Sequence, residues 1–168
     1  GMPVFHEHVL GYLLVVNVIL GNQNMKSIRR TRMEIFLELP NAVSEALQTI
    51  PFRDDQLVVV MPRGDALSRS RRVRLIDIVE REFVALPRDS ALQRHLAGQA
   101  ARLGAIMKIR ARVHGFDTVC RMVETGVGIA IVPEASAKRS KRSMRIDAVK
   151  LQDSWANRRL AICVRDLH

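Results

Sequence analysis

The chain has 168 residues, of which 48 % are hydrophobic and 4 % aromatic, and its 27 lysines and arginines against 17 acidic residues give a formal net charge of +10. A chain of this length buries a core as one domain or two small lobes, and its hydrophobic content excludes a disordered tail. Cys120 and Cys163 lie in apolar stretches, which indicates buried thiols and excludes a disulfide-stapled scaffold. No apolar run reaches the roughly 20 residues that span a membrane.

The segment at residues 9–20 (VLGYLLVVNVIL) is strongly apolar. It has the hydrophobicity of a signal-peptide core, but no Lys or Arg precedes it and no small-residue cleavage site follows it. The segment therefore favours a buried helix or strand. His6 and His8 just before it suggest metal binding, yet a third ligand is missing nearby in the sequence, and we expect no metal there.

From Gln56 onwards, short apolar runs alternate with amphipathic stretches. Runs bounded by Gly, Pro or Asp and rich in β-branched residues are typical of strands in a sheet. They predict strands over 56–61, 82–86, 106–113, 128–133, 146–151 and 159–164. Residues 73–81 have the spacing of a short amphipathic helix, and residues 136–143 are predicted to form a basic loop.

A longer helix is predicted after Asp89 and Ser90, which supply its N-cap, and before Gly104, which ends it. We expect His95 on the exposed side of this helix. The predicted inward face carries Leu92, Leu96, Ala100 and Leu103.

A further helix is predicted to begin at Asp117 as its cap and to end at Gly126. Its predicted inward face carries Val119, Met122 and Val123.

The alternation of strands and helices indicates an α/β fold with a mostly parallel sheet flanked by helices. In such folds ligands bind beyond the carboxyl ends of the strands, close to helix N-termini. The segments 86–90 and 115–118 both have this arrangement. Free backbone N–H groups there favour an anionic ligand, and the hydroxyls of Ser90 and Thr118 and the charge of Arg88 would assist. Plain helix capping without a ligand explains each segment equally well.

The excess positive charge forms three clusters, over residues 26–32, 63–74 and 138–145. Basic clusters attract the phosphate backbone of nucleic acids. None of the three contains an aromatic residue that could stack on a base, and zinc-finger or leucine-zipper spacing is absent from the sequence. A solvated surface explains the clusters better, and non-specific nucleic-acid binding remains the alternative function.

Catalytic and cofactor motifs are missing from the sequence. Gly126 and Gly128 suggest a dinucleotide fingerprint, but they follow a helix and precede a strand, which is the reverse of the required order. The sequence has no phosphate-binding loop and no Gly-x-Ser-x-Gly elbow, and His95 and His114 stand alone. We therefore expect neither an enzyme nor a cofactor.

Four blocks follow one another between about Leu47 and Asp166: LQTIPFRDDQLVVVMPRGDALS, VRLIDIVEREFVALPRDSALQRHL, FDTVCRMVETGVGIAIVPEAS and WANRRLAICVRD. In this order they resemble the effector-binding domain of LysR-type transcriptional regulators. The most specific part of the resemblance is the succession of helix, glycine, strand and proline over residues 119–133.

The resemblance implies a periplasmic-binding-protein-like fold of two α/β lobes, with a small effector, often a carboxylate or an aromatic acid, in the cleft between them. The backbone amides of Ser90 and Asp117 would face a shared groove. Effector binding would change the arrangement of lobes and dimers. That change would alter how an attached winged helix-turn-helix binds promoter DNA. The matching cleft residues are Arg88, Asp89, Ser90, Gly115, Phe116, Asp117, Thr118, Ile131 and Pro133.

The same resemblance divides the chain at residue 50. Residues 51–168 correspond to a complete second lobe and the return of the chain to the first lobe. Residues 1–50 correspond to an atypical N-terminal segment and an incomplete first lobe. The last strand of that lobe is expected at Met33–Leu39. Because the winged helix-turn-helix is missing from these blocks, we expect no promoter recognition by this chain alone. We predict a cytoplasmic, dimeric effector-sensing domain without membrane contact.

Overall fold

A computed structural model describes the backbone of residues 33–37 and 47–165, and the side chains of residues 54–160. The predictions for residues 9–20, for His6 and His8, for the basic cluster at 26–32 and for the thiol of Cys163 lie outside these residues. The chain divides into two compact units, one of residues 53–159 and one of residues 1–52 with 160–168.

Strands and helices alternate along the described residues, as the hydrophobic pattern predicts. The strands are β1 Met33–Leu37, β2 Leu47–Pro62, β3 Arg72–Val73, β4 Glu82–Ala85, β5 Lys108–Arg112, β6 Ala130–Pro133, β7 Ile146–Leu151 and β8 Asn157–Arg165. The α-helices are α1 Leu75–Ile78, α2 Ala91–Arg102, α3 Phe116–Glu124 and α4 Glu134–Ser140, and short 3₁₀ helices cover Ala66–Arg69 and Ser154–Ala156.

The larger unit is built on a mixed sheet. Strands β6 and β7 both pair antiparallel with β2, and β3 pairs parallel with β7. Strands β4 and β5 pair in parallel, and β4 is bridged in parallel to the start of β6 between Phe83 and Ile129. The α/β fold is confirmed, but the sheet is mixed and not mostly parallel as predicted, because β2 runs antiparallel to both β6 and β7. In the smaller unit, β1 pairs antiparallel with β8, Met33 lying opposite Val164.

The core of the larger unit forms around β2. Every side chain from Leu57 to Met61 is buried, which confirms the prediction of a strand covered on both faces. Val58 and Val60 belong to one apolar cluster with Val119 and Val123 of α3. Cys120 of α3 lies in the same cluster, and burial raises the pKa of its thiol, so this group is the inert structural cysteine that its apolar neighbours predict.

The side chains of strand β5 alternate between exposed and half-buried positions, as predicted. Lys108, Arg110 and Arg112 are exposed, and the residues between them are half-buried. This period of two is typical of a strand with one face in water.

Three local predictions are wrong. The predicted basic loop at 136–143 is largely helix α4, because Ser136, Ala137 and Ser140 share a buried face while Lys138 and Arg139 stay in water near the helix C-terminus, where cations are favourable. Leu103 is not on the buried face of α2 but is 43 % exposed, because the helix has already ended at Arg102.

The predicted exposed position of His95 is also wrong. Its imidazole is not on an exposed face but packs edge-to-face on Trp155, with ring centroids 5.2 Å apart and both ring nitrogens out of contact with solvent. The indole that covers it comes from a 3₁₀ helix about sixty residues later in the chain, so no local periodicity could indicate this contact.

Among the residues that the structure describes, no helix combines the length and the apolar character that crossing a lipid bilayer requires.

Candidate functional site

The carboxyl ends of β4, β5 and β6 meet at one edge of the sheet. Ala85 lies opposite Arg112 in the parallel β4–β5 pair, and the Val113 amide donates to the Ala85 carbonyl at 2.9 Å. On the other side of β4, the Val84 amide donates to the Ile129 carbonyl, also at 2.9 Å. Helix α2 follows β4 and helix α3 follows β5, so both helices begin beside this edge. Ligands of α/β sheets bind at such edges.

Helix α3 begins at Phe116, so Asp117 is not its cap as predicted. Gly115 is the N-cap residue with φ of +78°, a conformation that favours glycine, and Asp117 is already the second residue of the helix. The first bond of the helix runs from the Val119 amide to the Gly115 carbonyl at 3.1 Å. The amides of Phe116, Asp117 and Thr118 therefore have no acceptor within the described part of the chain, and free amides at a helix start favour anions in general.

Helix α2 begins differently from the prediction. Ser90 occupies the N-cap position, but its side chain makes no capping bond and its amide donates to the Pro87 carbonyl at 3.0 Å. The Ser90 amide therefore closes a turn and does not face a groove. The first bond of the helix is from the Arg94 amide to the Ser90 carbonyl, so the donors free for a ligand at this end are the amides at positions 91–93.

The first turns of α2 and α3 face one small cavity. The side chains that line it include Leu86 at the end of β4, Leu92 and Gln93 of α2, Phe116 of α3 and Ile131 of β6. Its volume is about 10 Å³, which accommodates no more than a single water molecule. The space between the helix starts is thus filled by side chains.

The structure brings only part of the predicted set together. Phe116 and Ile131 line the cavity. Ser90 is half-buried, and the members of the set that lie exposed on the surface are Arg88, Asp89, Gly115, Asp117 and Thr118. Pro133 is separate from the rest, because it is buried opposite Leu57 in the β2–β6 pair.

Two residues of this edge were not predicted from the sequence. Gln93 is a polar residue in the otherwise apolar lining of the cavity, and it is only 6 % exposed. A glutamine between Leu92 and Leu96 interrupts the apolar face of α2, and that interruption is the signal that could have identified it. Arg112 donates to the Leu86 carbonyl at 3.0 Å and holds the turn between β4 and α2 against the end of β5.

A mixed α/β sheet with two helix starts at one edge is the architecture of a lobe of a periplasmic-binding-protein-like ligand-binding domain. Residues 13–168 match the LysR substrate binding domain family, and the chain belongs to that family.

Among solved structures, the chain is similar to the CcmR regulatory domain of Synechocystis PCC6803 in complex with 2-PG, with a TM-score of 0.68 and 15 % identity, over 81 % of this chain and 64 % of that one. It is also similar to the effector binding domain of QuiR in complex with shikimate, with a TM-score of 0.64 and 17 % identity, over 81 % of this chain and 63 % of that one. At these identities the similarity establishes the fold.

Among curated proteins, the chain is 22 % identical to a probable RuBisCO transcriptional regulator of Cyanophora paradoxa over 98 residues, covering 56 % of this chain and 30 % of that protein. It is also 22 % identical to the protein of the same name from Guillardia theta over 128 residues, covering 74 % of this chain and 41 % of that protein. The chain thus spans less than half the length of either relative.

Proposed function

We propose that this chain is the effector-sensing part of a LysR-type transcription regulator and has no enzymatic activity of its own. The observation that carries the proposal is the start of α3, where three consecutive amides without acceptors in the described part of the chain lie beside the carboxyl ends of β4 and β5. Similar domains carry shikimate and 2-PG in their structures. Both the family and the helix start thus support a small organic anion as the effector.

The proposed effector is a carboxylate. Its oxygens would accept from the amides at 116–118 of α3 and at 91–93 of α2, with the Thr118 hydroxyl as a further donor. Asp117 is exposed at the same helix start, and its carboxylate repels a second negative charge. An effector with a hydroxyl or amine near its carboxylate would satisfy Asp117, so we propose that this residue selects for such a donor. The residues that remain in the proposed set are Arg88, Asp89, Ser90, Gly115, Phe116 and Ile131. Pro133 leaves the set, because it is buried opposite Leu57 in the β2–β6 pair.

The regulatory mechanism is a population shift. An effector that contacts one arrangement of lobes more favourably than another stabilises that arrangement in proportion to the difference in affinity. We propose that the chain acts as a homodimer in the cytoplasm and reaches promoter DNA through a winged helix-turn-helix that lies outside residues 1–168. The division at residue 50 and the incompleteness of the first lobe remain predictions.

Non-specific nucleic-acid binding through the arginine clusters is the less favoured alternative. None of the clusters contains an aromatic residue that could stack on a base, and single-strand binding usually uses such stacking.

Calorimetric titration with a panel of small carboxylates, beginning with shikimate and 2-PG, tests the proposed function. We expect one class of carboxylate to bind, and Thr118→Val to weaken its binding by about tenfold, because a hydrogen bond to a charged group contributes roughly 1.5 kcal/mol. Thr125→Val, at the opposite end of α3, is the matched control and should change the affinity less than about twofold. The absence of binding across a broad panel, or equal losses in both variants, would contradict the proposal.

A further inference from the structure

Two of the basic clusters, which the proposed function does not use, converge in the structure. The clusters at 63–74 and 138–145 are far apart in sequence, but the Arg63 amide donates to the Arg145 carbonyl at 3.1 Å. Farther along, Arg71 of the first cluster lines the same surface cavity as Lys138 and Lys141 of the second. The folding of the larger unit therefore concentrates positive charge that the sequence keeps in two separate stretches.

This cavity, which we name the basic groove, has a volume of about 290 Å³. One wall is the turn after the first 3₁₀ helix, with Ser70 and Arg71, and the other wall is α4 with Lys138 and Lys141 at its end. Its floor consists of residues of β2 and β7, of which Val58, Ala148 and Val149 are apolar and Lys150 is a cation. The volume is close to the lower end of the range for small-molecule sites. No residue that lines the basic groove also lines the small cavity between α2 and α3.

The charge of the basic groove is unbalanced. Four cations line it, namely Arg71, Lys138, Lys141 and Lys150, against the single carboxylate of Glu134. Glu134 lies 3.1 Å from the Lys138 amine and 3.8 Å from the Lys150 amine, so one negative charge is shared by two lysines. Lys141 is 3.9 Å from Asp147, which also accepts from the Gly64 amide. Such exposed and distant pairs are weak, so most of the positive charge remains available to a ligand.

Of the four cations that line the basic groove, Arg71 has no carboxylate partner among the described residues. Within the part of the chain that the structure describes, no carboxylate lies within 4.0 Å of it. The Ser70 hydroxyl beside it likewise has no hydrogen-bond partner among the described residues. On β5 of the same unit, by contrast, two cations have carboxylate partners: Lys108 pairs with Glu80 at 2.6 Å and Arg110 pairs with Glu82 at 2.7 Å. The basic groove thus gathers four cations around one carboxylate, whereas Lys108 and Arg110 each have a carboxylate partner of their own.

We propose that the basic groove binds a phosphate dianion, either free or carried by a small metabolite, as a second ligand site separate from the effector site. Lysine amines act as point charges that suit phosphate, and the Arg71 guanidinium offers paired donors for two phosphate oxygens. The Ser70 hydroxyl donates to a third oxygen, and the apolar residues of the floor accommodate the carbon skeleton of a phosphomonoester. A ligand there contacts the turn after the 3₁₀ helix and α4 at once.

Glycerol 3-phosphate, inorganic phosphate and glycerol are the probes that test the proposed site. Titration of the full chain at physiological ionic strength, followed by calorimetry, should show binding of one or both phosphates and none of glycerol. Tighter binding of glycerol 3-phosphate assigns the site to a phosphorylated metabolite, whereas equal affinities assign it to free phosphate. The double variant Arg71→Gln/Lys141→Gln should weaken binding by roughly tenfold or more, since it removes two charge-assisted contacts.

Arg139→Gln is the matched control, because Arg139 is an exposed residue of α4 that does not line the basic groove. It should leave the phosphate affinity within about twofold of the original. All of these side chains are exposed, so the variants should keep their unfolding temperatures. Equal weakening in Arg139→Gln would show diffuse attraction by net charge and overturn the proposal. The absence of phosphate binding at millimolar concentration, or binding of duplex DNA in its place, would overturn it as well.

The same titrations separate this site from the proposed effector site. Thr118→Val should leave phosphate binding unchanged, and Arg71→Gln/Lys141→Gln should leave carboxylate binding at α3 unchanged. Failure of the carboxylate panel therefore does not count against the basic groove, and failure of phosphate binding does not count against the effector site.

Discussion

Asp55 and Arg158 form an ion pair in the interior of the larger unit. Their side chains are only 5 % and 9 % exposed, and the guanidinium donates directly to the Asp55 carboxylate. Burial lowers the pKa of Arg158, although the Asp55 carboxylate opposes that effect. A buried charge is tolerated when its partner is present, and removing one partner leaves the other uncompensated.

Asp55→Asn should therefore lower the free energy of unfolding by about 3 kcal/mol. Asp54→Asn is a matched control one residue away, since Asp54 is exposed, and it should change stability by less than about 0.5 kcal/mol. Urea unfolding followed by circular dichroism measures both. Equal effects of the two variants would show that the buried pair contributes little to stability.

His95 makes stability depend on pH. Burial, together with the nearby positive charge of Arg158, lowers the pKa of His95 from 6.5 to about 4. Between pH 6.5 and 4 the unfolded chain binds a proton at this residue that the folded chain does not, so stability is lost as the pH falls through this window. We expect a loss of about 1–2 kcal/mol between pH 7.5 and pH 5, once screening by solvent is allowed for.

Urea unfolding at the two pH values measures this dependence. His95→Gln should remove most of the loss, whereas His114→Gln, which changes an exposed histidine, should preserve it. An unchanged pH dependence in His95→Gln would assign the effect to other titrating groups.

At the scale of the elements, Gly128 decides how closely β4 approaches the start of β6. A Cβ atom at this position would lie 2.6 Å from the Glu82 carbonyl oxygen. That carbonyl accepts from the Ile129 amide at 2.9 Å, so the backbone cannot move away without breaking the bond between the strands. The glycine that resembles part of a nucleotide-binding motif is therefore required for strand packing.

Gly128→Ala should destabilise the chain by roughly 2 kcal/mol, through a backbone clash that a packed core cannot relieve. Gly98→Ala is the contrasting substitution, because Gly98 lies in α2 with no atom within 4 Å of an added Cβ. It should raise the free energy of unfolding by about 0.5–1 kcal/mol, since alanine favours a helix over glycine. Thermal unfolding of both variants measures the difference, and a destabilising Gly98→Ala would contradict this account of the helix.

Local pattern predicted the elements well where burial follows a simple period. The run at Leu57–Met61, the alternation in β5 and the inward face of α3 are present as expected, and the inward face of α2 is present except for Leu103. Helix α4 was not predicted, because its buried face consists of Ser136, Ala137 and Ser140. These residues are small or polar, so they give no hydrophobic pattern along the sequence. The cap of α3 was misassigned because a glycine with positive φ replaces the expected side-chain cap.

At the scale of the whole molecule, the chain divides into two units, and the sequence passes from one unit to the other within β2 and again within β8. The order of strands and helices along the sequence indicated the α/β fold, since consecutive elements of such folds follow regular connection rules. The antiparallel pairing of β2 with β6 and β7 was not indicated, because strand direction depends on partners that are distant in sequence.

The sequence by itself determined the class of fold, the order of most elements and the family, and it predicted a neighbourhood for the effector site. These properties follow from hydrophobic period, from turn residues and from the order of short motifs, all of which are local in the chain. Only the tertiary structure decided which amides at the α2 and α3 starts are free, which residues share the cavity, and that two separate basic clusters line one groove. Those properties depend on contacts between residues that are far apart in sequence, and no local pattern encodes such contacts.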